Sequence, residues 1–128
     1  MARVTALIPD LLFGSRVREA LISAGHEVSL VAHEEDARAQ APGSDVLVID
    51  LVDDSLDGAT LVESMLMGRE LGSTRTLGFY AHVDVEARRR GEQAGIDLVV
   101  PRSRMAREGS ELVTALAERD RVVEPPSA

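Results

Sequence analysis

The sequence predicts a doubly wound α/β domain built on a five-stranded parallel sheet. Five short runs of β-branched and aliphatic residues alternate with segments that have helical periodicity. The runs are almost continuously apolar, which is typical of strands buried on both faces of a parallel sheet. Glycine follows three predicted helices, at Gly25, Gly72 and Gly95, where the left-handed position after a helix favours it.

The predicted strands follow one another at spacings that leave room for a helix between each pair. They are Arg3–Ile8, Val28–Ala32, Asp45–Asp50, Thr76–Tyr80 and Asp97–Val100. Such alternation favours right-handed crossovers and, in a flavodoxin-like sheet, the strand order 2-1-3-4-5.

The segments between the strands predict four regular helices and one short or irregular helix. In the first, Phe13, Val17 and Leu21 share one face. The segment His33–Ser44 has room for a short helix only and is closed by Pro42-Gly43.

The third helix has apolar residues at i, i+4 spacing in two pairs, Leu61 with Met65 and Val62 with Leu66. Two residues could mark the beginning of this helix. Thr60 and Glu63 have the spacing of a capping box, and Asp57 could be the N-cap residue.

The last helix carries Leu112, Val113 and Leu116 on its inner face. After Arg119 the helical periodicity is lost. We therefore expect one domain over residues 1–119 and a flexible tail over 120–128.

Composition excludes several classes of function. Cysteine is absent, and all fourteen basic residues are arginine, so disulfides, thiolate metal sites and lysine chemistry are excluded. The net charge of −8 and the presence of only three aromatic residues argue against nucleic-acid binding by this domain. The amino-terminal apolar stretch is too short for a signal peptide or membrane span, so we expect a cytoplasmic protein without membrane contact.

Two carboxylates follow the strands that flank the switch point of the predicted sheet. Asp10 comes after the first strand and Asp50 ends the third. Together they could hold Mg²⁺, which proteins often bind through one or two carboxylates and water. Alternatively, both side chains could simply cap nearby backbone amides.

Three segments resemble the receiver domains of bacterial response regulators. DVLVIDLVDDSLDG resembles the receiver's third strand and following loop, with Asp50 at the strand end and Asp57-Gly58 seven residues later. ALIPDLLFGSRVREAL is similar to the first strand and helix, and GEQAGIDLVVPRSRM to the fourth helix end and fifth strand. The resemblance runs from Arg3 to Arg119. It implies a receiver fold, with Asp50 as phospho-acceptor and Asp10 as Mg²⁺ ligand.

Three positions depart from the receiver pattern. Pro9 replaces the first acid of the acidic pair, and Tyr80, followed by Ala81, replaces the small hydroxyl residue that contacts the phosphoryl group. Arg102 stands near the position of the phosphate-binding lysine, and arginine can contact a phosphate through two hydrogen bonds. The departures indicate a degenerate receiver, or pseudo-receiver.

The leading hypothesis is a stand-alone receiver-like signalling protein, not an enzyme and not conventionally phosphorylated, that acts by contact with a kinase or a downstream protein. One alternative is a working response regulator in which Asp50 is phosphorylated with Mg²⁺ at Asp10. Another is a flavodoxin-like module that binds a metal or small molecule through Asp10, Asp50 and His82. The sequence groups no catalytic residues.

Two surfaces are candidates for partner binding. Arg88, Arg89 and Arg90 form a basic run that either docks an acidic partner or is a solvated helix face. Met65 and Met67, on the third helix, either form a homodimer contact or are buried under loops.

For three further polar residues, we expect a place on the surface and no role in binding or catalysis. Asp53 and Asp54 are expected in a solvated loop after Asp50, and His26 in an exposed helix-to-strand turn.

Overall fold

The computed structural model describes residues 1–119, which fold around one five-stranded parallel sheet. The strands are β1 (Arg3–Leu7), β2 (Glu27–Val31), β3 (Val46–Asp50), β4 (Arg75–Tyr80) and β5 (Leu98–Pro101). Their order in the sheet is β2-β1-β3-β4-β5. The predicted fold class is therefore confirmed, and each predicted strand end lies within one residue of the observed one.

Five helices cover the two faces of the sheet. They are α1 (Leu11–Ser23), α2 (Glu34–Gln40), α3 (Gly58–Met67), α4 (Val85–Gln93) and α5 (Arg102–Arg119), with a 3₁₀ turn at Ala41–Gly43 after α2. Gly25 and Gly95 have positive φ angles of 95° and 98° directly after the C-cap residues of α1 and α4, as predicted. The prediction for Gly72 is wrong: α3 already ends at Met67, and Arg69, with a φ of 56°, takes the left-handed position after it.

The core has one apolar layer on each face of the sheet. On one face, α1 and α5 pack through Phe13, Leu21 and Val113 against Val4 and Val48. The other face is covered largely by α3, whose Leu61, Val62 and Met65 pack against Leu47 and Ile49. Because both faces are covered, residues on both sides of the central strand β3 are buried, which explains its unbroken apolar run.

Aspartates begin three helices on the edge where the parallel strands end. Asp10 caps α1, Asp57 caps α3 and Asp84 caps α4, and each side chain accepts a backbone N–H of the first turn. Asp57 rather than Thr60 therefore starts α3, and the capping-box start is wrong: Thr60 already lies within the helix and donates its amide to Asp57.

Two predictions about exposure are corrected by the packing. Met65 is completely buried, because it shares the inward face of α3 with Leu61, so it cannot belong to a partner surface. His26 is also buried: its Nδ1 accepts the amide N–H of Ala2 at 2.9 Å, and its Nε2 lies 3.0 Å from the Thr114 hydroxyl.

The prediction for residues 120–128 falls outside the described residues. Within residues 1–119, none of the helices is both long enough and apolar enough to cross a membrane.

Candidate functional site

Asp50 is the last residue of β3 and lies at the carboxyl edge of the sheet. Asp50 is only 2% exposed. One carboxylate oxygen, Oδ1, accepts the amide N–H groups of Val52 at 2.6 Å and Asp53 at 3.1 Å. The other oxygen, Oδ2, has no hydrogen-bond donor among the described residues. The backbone of the loop thus fixes the orientation of the carboxylate and leaves Oδ2 available.

The charge of Asp50 is partly disfavoured by its surroundings. Burial raises the pKa of the Asp50 carboxyl above its ordinary value, since a charge is less stable away from water. The two amide hydrogen bonds oppose this rise in pKa, the Asp53 charge adds to it, and the Arg102 guanidinium lowers it again. Asp50 therefore holds a proton more readily than an exposed aspartate does.

Asp10 lies beside Asp50's strand but has partners on both of its oxygens. Oδ1 accepts the amides of Leu12 at 3.0 Å and Phe13 at 3.1 Å, as an N-cap residue does. Oδ2 accepts a hydrogen bond from Nη2 of Arg102 at 3.3 Å. Asp10 was expected either to bind Mg²⁺ or to cap backbone amides, and in the structure it caps the amides of α1.

Arg102 contacts both Asp10 and the aromatic ring of Phe13. It is the first residue of α5, and its guanidinium carbon lies 4.3 Å from the ring centroid of Phe13, a cation–π contact. The Phe13 ring is in turn 5.1 Å from the ring of Phe79 in the core. The arginine is thus held over an aromatic face while it pairs with Asp10.

This arrangement does not fit Mg²⁺. Pro9 supplies no acid, and both oxygens of Asp10 already have partners, one of them a cation. Among residues 1–119, no three His, Asp or Glu side chains are grouped so that they could hold a metal ion. Magnesium at Asp10 and Asp50 stays a prediction, and a metal ion there would have to displace Arg102.

The end of β4 contributes no small hydroxyl to the site. Tyr80 is its last residue and is buried, and its own hydroxyl has no hydrogen-bond partner within the described part of the chain. Ala81, half-buried, follows it. The structure therefore brings no short donor from this strand to the phosphate position implied by the resemblance.

Phe13 is the site residue that sequence reasoning missed. Its helical spacing with Val17 and Leu21 assigned it to the core, and it does pack there. Its second role, under the guanidinium of Arg102, depends on a contact across the fold. One feature of the sequence could have indicated this role: Phe13, one of only three aromatic residues, lies three positions after Asp10.

The loop after Asp50 behaves as the solvated segment that was expected. Asp53 accepts the amide of Ser55 at 2.8 Å and also its hydroxyl, and these bonds lower the pKa of the Asp53 carboxyl. Asp54 is exposed.

The basic run in α4 is already paired with acids. The pairs are Arg88 with Glu92 at 3.3 Å, Arg89 with Glu86 at 3.2 Å, and Arg90 with Asp57 at 3.5 Å. All six side chains are exposed, so the pairs are consistent with a solvated face. Binding of a partner by this run stays a prediction.

Two other candidates lie on the surface. Met67 is 81% exposed at the end of α3, so it can contact a partner as Met65 cannot. His82 is exposed after β4 and lines a cavity with Arg102, but not with Asp10 or Asp50.

Comparison with solved structures identifies the fold. The receiver domain of the Francisella response regulator 1452 superposes with a TM-score of 0.80 at 19% identity, covering 93% of this chain and 98% of that one. The BeF₃-activated DrrB receiver domain gives a TM-score of 0.77 at 21% identity, over 93% and 99% of the two chains. The Mn²⁺-bound response regulator Rcp1 gives 0.71 at 12% identity, over 99% and 100%.

These likenesses show that the chain has the fold of response-regulator receiver domains, as the resemblance implied. No protein-family model and no curated protein matches the sequence.

Proposed function

We propose that this chain is a receiver-fold signalling module that acts through protein–protein contacts without an Mg²⁺-dependent phosphorylation cycle. The observation that carries the proposal is the 3.3 Å ion pair between Arg102 and Asp10. It puts a permanent cation of the protein against the carboxylate that would otherwise be the metal ligand. The module acts by contact and catalyses no reaction of its own.

The position of Arg102 supports a built-in replacement for the metal ion. Arginine stays protonated at any relevant pH, so its charge cannot be lost as a bound ion can. Its stacking on Phe13 adds attraction that a simple surface ion pair lacks. Because the pair is partly exposed, at 42% and 44%, we expect it to fix geometry more than to add stability.

The other departures point in the same direction. Without an acid at Pro9, the second carboxylate for a metal is missing on that strand end. Because β4 ends with Tyr80, this strand end has no small hydroxyl that could move towards a phosphoryl group and bind it. A module of this kind would present one state to its partner, and its regulation would come from the partner's abundance or location.

A second candidate is phosphorylation of Asp50, and one observation favours it. Oδ2 of Asp50 has no donor among the described residues, so it could attack the phosphorus atom of a kinase phosphohistidine. A P–O bond to Asp50 would form as the P–N bond breaks and the kinase imidazole leaves. Arg102 would then contact the phosphate and would have to loosen its hold on Asp10.

Amide NMR spectra with beryllofluoride and Mg²⁺ separate the two candidates. The BeF₃ form of a similar receiver makes this probe a direct one. We expect wild type to show only small, local shifts, equal to those of an Asp54→Ala control in the same loop. Widespread shifts in wild type that disappear in Asp50→Ala would establish the phosphorylation candidate instead.

A further inference from the structure

A groove runs between α1 and α5 from the carboxyl edge of the sheet. It consists of an inner cavity of about 150 Å³ and an outer cavity of about 390 Å³. Phe13, Arg16 and Ala106 line both, so the two cavities adjoin. Asp50 does not line the groove, although Phe13 and Arg102, which form the cation–π contact described above, line its outer cavity.

The inner cavity is largely apolar and has the size of one aromatic ring. Its apolar walls are formed by Phe13, Val17, Leu21 and Met105, and its polar part by Arg16 and Ser110. Gly109 also lines the cavity, at a point where a side chain would crowd Met105. A Cβ atom at Gly109 would lie 3.1 Å from Cε of Met105. A cavity of about this volume is large enough to hold a benzene ring. A ring here would also contact the thioether of Met105, which attracts aromatic edges.

The mouth of the groove is basic. Arg16, Arg102 and the imidazole of His82 line the outer cavity, and no Asp or Glu of the described chain lines either cavity. This is unexpected in a protein with 22 acidic residues and a net charge of −8. Because Asp10 offsets the charge of Arg102 at 3.3 Å, Arg16 is the cation that favours an anion at this mouth.

Arg16 is the free cation of this mouth. It is exposed, and within residues 1–119 its guanidinium has no hydrogen-bond or ion-pair partner. Arg102 is already paired with Asp10, which offsets its charge. A guanidinium without a partner can bind a carboxylate through two parallel hydrogen bonds.

We propose that this groove binds a small aromatic carboxylate, with its ring between α1 and α5 and its carboxylate on Arg16. The apolar depth disfavours inorganic anions, and the basic mouth disfavours aromatic amines. The apolar walls thus select the ring, and Arg16, which has no role in the signalling proposal, selects the carboxylate.

The test uses 3-phenylpropionate, titrated into the full chain and followed by amide NMR. We expect saturable shifts at Val17, Leu21, Met105 and Gly109. Neutral 3-phenylpropanol, which keeps the ring but lacks the charge, should bind at least about tenfold more weakly, as expected for a charge-assisted hydrogen bond.

Three variants on α1 test the charge and the cavity separately. Arg16→Gln should weaken 3-phenylpropionate binding about tenfold and leave the alcohol unaffected. Arg18→Gln is the matched control, because Arg18 is also exposed and without a partner in the described residues but does not line the groove. Ala20→Leu fills the inner cavity and should abolish binding of both compounds.

Three results would overturn the proposal. They are the absence of saturable shifts, equal affinity for acid and alcohol, and equal loss in Arg16→Gln and Arg18→Gln. Shifts of the same residues that follow protein concentration without any ligand would assign the groove to a second copy of the chain instead.

Discussion

A Cβ atom at Gly58 would lie only 2.7 Å from the carbonyl oxygen of Asp50. It would also lie 3.0 Å from Cγ1 of Ile49 and 3.1 Å from Cδ2 of Leu51. The first turn of α3 therefore packs directly on the backbone that carries the site carboxylate. A glycine is needed here because backbone atoms cannot move aside as a flexible side chain can.

We expect Gly58→Ala to lower the free energy of unfolding by about 1–3 kcal/mol, the usual cost of overpacking. Denaturant unfolding measures this, and the amides of Val52 and Asp53 should shift in NMR spectra. Gly43→Ala is the control, since a Cβ atom there meets nothing within 4 Å. An equal cost for both variants would rule out close packing as the reason.

Asp57 should stabilise the protein through the start of α3. Its side chain accepts the amide of Thr60 at 3.1 Å, and that bond, with help from the Thr60 hydroxyl and Arg90, lowers the pKa of the Asp57 carboxyl. We expect Asp57→Ala to cost about 0.5–2 kcal/mol at neutral pH. Asp54→Ala, in the same loop but without a capping contact, should cost almost nothing.

The pH dependence of this effect has a definite sign. Because the folded-state pKa of Asp57 is lowered, its contribution is complete above the pKa of the unfolded chain and is lost as the pH falls through the folded-state pKa. Unfolding free energies of wild type and Asp57→Ala should therefore converge in acid. A difference that stays constant with pH would show that the cap does not depend on charge.

His26 connects the start of β1 to α5. Since Nδ1 accepts the Ala2 amide, the ring proton is on Nε2, which donates to Thr114, whose hydroxyl donates to the Ser110 carbonyl. We expect His26→Leu to cost about 1–3 kcal/mol by leaving the Ala2 amide buried without an acceptor. The exposed His33 provides the control: His33→Leu should be near neutral, and a similar loss in both would contradict the assigned bonds.

The two methionines of α3 should respond in opposite ways. Met65→Ala removes a fully buried side chain and should cost about 2–5 kcal/mol. Met67→Glu, on the exposed face, should leave stability unchanged. If the chain forms a homodimer through this face, light scattering should show that Met67→Glu lowers the mass. An unchanged dimer mass would exclude Met67 from the contact.

The sheet could be predicted from the sequence because its signals are local. Strands buried on both faces read as continuous apolar runs, as in Val46–Asp50, and Gly25 and Gly95 mark helix ends. The position of Asp50 at the end of β3 followed from the same runs.

Contacts between distant residues could not be predicted in this way. Asp10 and Arg102 are 92 positions apart, and His26 and Thr114 are 88 apart, so no local pattern joins them. Met65 shows a different limit. Its spacing with Leu61 already indicated the inward face, but the surplus of apolar residues on α3 obscured which methionine was exposed.

The most direct measurement of the central claim is a titration with Mg²⁺, followed through the amides of Asp10, Asp50 and Val52. Three chains are compared: wild type, Arg102→Ala, and the control Arg104→Ala, which breaks only the exposed pair with Glu108. If Arg102 takes the place of the metal ion, wild type and Arg104→Ala show no saturable shifts, whereas Arg102→Ala frees Oδ2 of Asp10 and gains Mg²⁺ binding. Saturable Mg²⁺ shifts at Asp10 and Asp50 in wild type would contradict the account.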